Sequence, residues 1–180
     1  MKKGSFGFTL IELLIVIALL GALAIGLLAA LDPFEQLKKG TDTGTRNTVA
    51  EFQGAVIRFY SIKNFMPWCD DGECANPLDG GTEPTETQLT DMGDTMEAIT
   101  DTGELKADFA DLAGGQTDNI YVTGTNDPPQ VAVCYKPTSK SFRSDPNTKY
   151  DKNGVVAANG SQITCPDPAN AAAECYYCIQ

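Results

Sequence analysis

The apolar positions along the chain fall into three regimes. From Phe8 to Leu31, 24 successive residues carry a single charge, Glu12. Read as a helix, that run is ~36 Å long at 1.5 Å per residue, more than the roughly 30 Å hydrocarbon core of a bilayer. From Thr45 the pattern becomes periodic. Val49, Phe52, Val56 and Phe59 recur at offsets of three, seven and ten, with Arg46, Glu51, Gln53 and Arg58 on other faces, which predicts an amphipathic helix. It should stop near Asn64, a residue that tolerates a left-handed cap, just ahead of Pro67. Between the two regimes, Pro33 is placed to kink or restart the helix. Gly40 and Gly44, set among Thr and Asp, mark a stretch of weak helix propensity, either a segment able to melt or a flexible linker.

Beyond Pro67 the elements shorten. Cys69 and Cys74 bracket a compact loop that a disulfide could close, and Pro77 to Pro84 reads as another loop. Leu89, Met92, Met96 and Ile99 repeat the helical spacing, and Gly103 closes it. Asn119 to Thr123 predicts a strand. Gln130 to Lys136 predicts a second, with Val131, Val133 and Tyr135 alternating against Ala132 and Cys134. Pro137 to Lys140 reads as a turn, Ser141-Phe142-Arg143 as the start of a third strand, and Cys175 to Ile179 as a short final one. The expected architecture is α+β: a long N-terminal transmembrane and amphipathic helix, its second half packed on a small antiparallel sheet.

Charge and cysteine content sharpen this picture. The net charge is −11, and between Cys69 and Asp127 fifteen Asp and Glu face one Lys, Lys106. Such a surface repels phosphate backbones and anionic lipid, so no nucleic acid partner is expected. Solubility outside the cytoplasm accounts for it, with specific cation binding as the alternative. There is no His, which removes the commonest general base and metal ligand and any Ser/His/Asp arrangement. Six cysteines, Cys69, Cys74, Cys134, Cys165, Cys175 and Cys178, all follow the apolar run. In an exported domain they read as disulfides, with the connectivity open. Cys175-x-x-Cys178 also has redox or, with Cys69 and Cys74, zinc spacing. Asp145, Asn147, Asp151 and Asn153 offer oxygen ligands without the helix–loop–helix calcium spacing, and a solvated turn is the simpler reading. Asn159-Gly160-Ser161 is a glycosylation sequon by pattern alone.

Glu12 decides how the first thirty residues are read. A secretory signal peptide has an apolar stretch of about 7–15 residues, shorter than this one, although Ala22, Ala24, Ala29 and Ala30 offer small residues for a signal peptidase. A plain single-pass anchor fits the length, with Lys2 and Lys3 holding the N-terminus in the cytoplasm, but has no use for a carboxylate that costs about 2.5–3.5 kcal/mol near a membrane helix centre. The run Lys2-Lys3-Gly4-Ser5-Phe6-Gly7-Phe8-Thr9-Leu10-Ile11-Glu12-Leu13 resembles the leader and cleavage site of type IV prepilins and pseudopilins. The aromatic pair and turn of Phe59 to Pro67 are similar to that family's end-of-helix pattern, with Asn64 where Gly is more usual. Pro33 stands a few residues later than the family's Pro, where this chain has Ala29.

The resemblance implies cleavage after Gly7 and methylation of the new N-terminal Phe8 by a membrane prepilin peptidase/methyltransferase. It implies residues 1–7 as leader, 8–31 as transmembrane and assembly helix, and 32–180 as a pilin-like head that includes the second half of the long helix. The expected function is a structural, non-enzymatic subunit of a pilus or pseudopilus. Its partners are copies of itself in a helical filament and an inner-membrane assembly platform. The precursor would sit in the inner membrane with its head outside the cytoplasm, and the product in a surface or periplasmic filament. Cleavage frees an amine on Phe8, and Glu12 of a neighbouring copy can pair with it. That offsets the cost of two lone charges in low dielectric and fixes axial register; a Glu12 that merely snorkels to the headgroups is the simpler alternative. Major pseudopilins often bind calcium in the C-terminal loop region, so calcium is the one cofactor the resemblance raises. The competing function is a monomeric, membrane-anchored binding or redox module.

Overall fold

The computed structural model describes residues 7–30, 32–69, 74, 83–157, 165–167, 169–170 and 172–180. The chain divides into two compact units, Met1–Leu37 and Lys38–Gln180. The first contains helix α1 (Leu10–Ala30) and the first turn of helix α2 (Pro33–Lys63). Within α1, Leu10 to Leu28 is long and apolar enough to cross a membrane, and its described side chains are exposed. The helix restarts at Pro33 for a local reason. Proline needs no N–H partner at a first helical position, Asp32 Oδ1 accepts from Glu35 N at 3.3 Å, and Asp32 O accepts from Gln36 N, so Asp32 caps α2.

The stretch expected to be weak is helical throughout, and α2 begins twelve residues ahead of Thr45. Besides the Asp32 cap, the hydroxyls of Thr43, Thr45 and Thr48 each donate to the carbonyl four residues back, at 2.8, 3.1 and 3.2 Å. The helix does end as the sequence predicts: Asn64 has φ 63° and donates its N–H to Tyr60 O.

In the second unit the stripe Val49, Phe52, Val56 and Phe59 is buried. It packs in one core with Trp68, Leu89, Met92, Ile99, Phe109, Ile120, Val122, Val133 and Tyr135. The sheet of the described residues runs β1 (Thr87–Gln88), β2 (Ile120–Thr125), β3 (Gln130–Tyr135), β4 (Tyr177–Ile179), in that order and antiparallel throughout. The alternation predicted for β3 holds. Val133 and Tyr135 face the main core, while Ala132 and Cys134 join Tyr176 and Cys178 in a second cluster on the other face. The helical spacing from Leu89 to Ile99 divides into a 3-10 turn, Leu89–Asp91, and α3, Gly93–Asp101. The chain reverses at Gly103, with φ 78°.

One expectation is corrected. Ser141-Phe142-Arg143 does not begin a strand. It lies in a short helix, α5 (Lys140–Arg143), whose N-cap Ser139 accepts from Phe142 N. The cause is long-range. Asp42 of α2, only 2% exposed, accepts from Thr138 N at 3.0 Å, Ser139 N at 2.8 Å, Thr138 Oγ1 at 2.9 Å and Ser139 Oγ at 2.6 Å. That carboxylate gathers the N–H groups ahead of Lys140 and turns the segment into a helical start. Helix α4 (Phe109–Ala113) and the 3-10 turn Gly114–Asn119 carry no predicted element. The loop Pro77 to Pro84 lies largely, and the Asn159 sequon wholly, outside the described residues.

Candidate functional site

The residues singled out at the N-terminus form one local structure. Thr9 is the N-cap of α1: its carbonyl accepts the first intrahelical bond, from Leu13 N. Glu12, three residues on, folds back. Its Oε2 accepts from Thr9 N at 2.8 Å and from Thr9 Oγ1 at 2.7 Å, while Thr9 Oγ1 accepts from Glu12 N at 3.3 Å. This is a reciprocal capping box, in which two helix-terminal donors are satisfied by side chains. The same carboxylate lies at the positive end of the α1 dipole. The signal for it is in the sequence as Thr-x-x-Glu ahead of an apolar run, a helix-end pattern to which hydrophobic periodicity is blind.

The cap places the Glu12 carboxylate against the amide of the residue that follows Phe8. Phe8 itself is 84% exposed. At Gly7 an added Cβ would meet nothing within 4 Å, and the residue has no positive φ. Among the described residues no packing therefore calls for glycine there.

The six cysteines are paired as Cys69–Cys74, Cys134–Cys178 and Cys165–Cys175. Cys175 and Cys178 thus belong to different disulfides, and their x-x spacing is neither a redox pair nor half of a thiolate metal site. Cys134–Cys178 joins facing residues of β3 and β4. The four oxygen-bearing residues fall in two separate turns. Asp145 Oδ1 accepts from Asn147 N, and Asp145 Oδ2 lies 3.8 Å from Arg46 Nη1. Asp151 Oδ1 accepts from Asn153 N and Val155 N, and Asn153 donates to Glu86 Oε1 at 2.6 Å. Among the described residues no group of three or more Cys, Asp or Glu is placed to hold a metal ion.

Comparison with protein families gives a match at the N-terminus. Residues 2–28 fit the family model described as the prokaryotic N-terminal methylation motif. That segment contains the Gly7–Phe8 junction, the capping box and most of α1. The chain carries a prepilin-type N-terminus. The prepilin signature and the exposed apolar helix behind it fit a membrane-anchored precursor, and an α+β unit with a four-stranded antiparallel sheet follows. Neither curated proteins nor solved structures give a match to the chain.

Proposed function

We propose that the chain is a structural subunit of a type IV pilus or pseudopilus. In this reading it is cut between Gly7 and Phe8, methylated on Phe8 and assembled through α1. The signature over residues 2–28 carries the reading. Two features of the site support it. Among the described residues no contact calls for glycine at Gly7, and a missing side chain there suits access by a peptidase. Glu12 is held by its own backbone cap beside the position at which cleavage would free an amine. The precursor would be inserted with Lys2 and Lys3 in the cytoplasm and the disulfide-bonded unit outside it. The binding-module alternative has the same anchor, and in it the Glu12 carboxylate serves only as the helix cap.

The capping box supplies the test. Glu12→Gln retains an oxygen that can accept from Thr9 N and Oγ1, and removes the charge. Glu12→Ala removes both. If Glu12 pairs with a Phe8 amine in the filament, both variants should be processed and membrane-resident, and both should be missing from sheared filaments. Deleting one partner of a buried pair costs about 3–5 kcal/mol, enough to stop growth at each added subunit. Wild-type abundance of Glu12→Gln protein in filaments would reduce Glu12 to a helix cap and sink the pairing. Intact-mass measurement of the filament protein should show loss of residues 1–7 and gain of one methyl group. Gly7→Val should leave the precursor uncut.

A further inference from the structure

The second unit holds a cavity of about 530 Å³ between the C-terminal half of α2 and the end of the β2–β3 hairpin. Its apolar wall includes Ile57, Val131 and Val155, and its polar groups include Gln53, Tyr60 and Gln130. In a chain of net charge −11, no Asp, Glu, Lys or Arg side chain stands among the described residues that line it. Gln53 is the informative member. It sits on the helix that carries the core stripe and is only 8% exposed, yet its amide makes no hydrogen bond among the described residues. The amide lines the cavity, so a ligand that fills the cavity replaces water at that amide and must supply it with hydrogen-bond partners.

The lining selects the ligand's chemistry. With no side-chain charge to neutralise it, an ionic ligand would lose its hydration without compensation. A wholly apolar ligand would leave the Gln53 amide unsatisfied. An added peptide strand needs free backbone N–H and C=O groups at a sheet edge, but β2 and β3 are the two inner strands. What remains is an uncharged molecule with paired hydroxyls and C–H faces. A primary amide offers a donor and an acceptor side by side, the arrangement that meets two neighbouring hydroxyls, one accepting and one donating.

We propose that this cavity binds an uncharged saccharide unit, with the Gln53 amide bridging two adjacent hydroxyls and Ile57, Val131 and Val155 covering the ring's C–H face. The site stands independently of the filament reading. The test is titration of the full ¹⁵N-labelled chain in dodecylphosphocholine micelles, a detergent without sugar, followed by the side-chain amide signals. The probes are maltose, cellobiose, lactose and N,N′-diacetylchitobiose, with glucose 6-phosphate and glucuronate as charged comparators and an acetylated, amidated Val-Thr-Val tripeptide. At least one neutral disaccharide should shift the Gln53 amide saturably in the millimolar range, and the charged sugars and the tripeptide should not. Gln53→Ala should weaken binding about tenfold or more. Val155→Asp, at a position 61% exposed and so tolerant of change, should do the same by placing a carboxylate in the wall. That second variant decides the matter if Gln53→Ala does not fold. No saturable shift with any neutral sugar overturns the proposal. So do equal binding of the charged sugars, saturation by the tripeptide alone, or unchanged affinity in both variants.

Discussion

Asp42 offers the sharpest test of how the second unit is held together. Asp42→Ala removes one acceptor from four donors, two of them backbone N–H groups. The donors do not suffer equally. Thr138 is exposed and its N–H can turn to water, whereas Ser139 is 0% exposed and its N–H and hydroxyl cannot. A stranded buried donor costs about 1–3 kcal/mol, and the lost bonds were to a charged acceptor. The expected destabilisation is therefore about 3 kcal/mol, or a fall of about 10 °C in Tm. Asp42→Asn keeps one accepting oxygen but aims an amide NH₂ at donors, so it should fall between Ala and wild type. The assay is thermal unfolding followed by the fluorescence of Trp68, the sole tryptophan and a core residue of this unit. An Asp42→Ala protein that melts within about 2 °C of wild type would refute the reasoning, because the buried bonds would then contribute nothing net.

Four further outcomes are expected. Gly124→Ala should cost about 2 kcal/mol, read as a lower urea midpoint with a shifted Trp68 emission, because a Cβ there collides with the Trp68 ring and lies 2.9 Å from Gln130 O. The Tyr176 phenol is pushed up to about 12, chiefly by burial and then by Glu174, Tyr121 and Glu86. Its contribution to stability is complete below the ordinary tyrosine value near 10 and is lost as pH rises toward 12, so alkaline titration of Tyr176→Phe should show a shallower loss of stability across that window. With three disulfides and no free cysteine, thiol labelling of denatured, unreduced protein should find nothing to react. The double change of Cys134 and Cys178 to Ser should cost up to about 4 kcal/mol for a loop of 44 residues.

What could be read in advance depended on whether the cause was local. The apolar run, the Val49-to-Phe59 stripe, the Asn64 cap and the two central strands are written in spacing that a window of ten or twenty residues contains. The error at Ser141 has the opposite origin: its helix is set by a carboxylate almost a hundred positions away. Gly40 and Gly44 leave α2 unbroken for a nearer reason, because the Asp32 cap on one side and the buried turns on the other outweigh their weak propensity. At the N-terminus, Gly7, Phe8 and Glu12 were legible as a motif. The partnership of Thr9 with Glu12 was equally local but needed a reading of helix ends in place of hydrophobic period. The Cys69–Cys74 bond was legible as a compact loop that a disulfide could close, whereas Cys134–Cys178 was beyond reach because it follows from the pairing of β3 with β4.

Asp42 is also the first buried side chain along α2, and this sets a yield point. Nine residues, Pro33 to Thr41, precede it in the helix, and none of their side chains is buried. Under tension, that stretch, with Gly40 at its end, should unwind before anything anchored by the Thr138–Ser139 clasp. Paid out from helix to extended chain, nine residues add about 16–19 Å, after which the carboxylate stops the thread. A chain held at Pro33 and at its C-terminal end would show an extension step of that length below the force that breaks the sheet, and a trace lacking the step would exclude such a stop. The clasp thereby divides α2 into a spring and a post, with Gly40 on the compliant side and Gly44 on the rigid one.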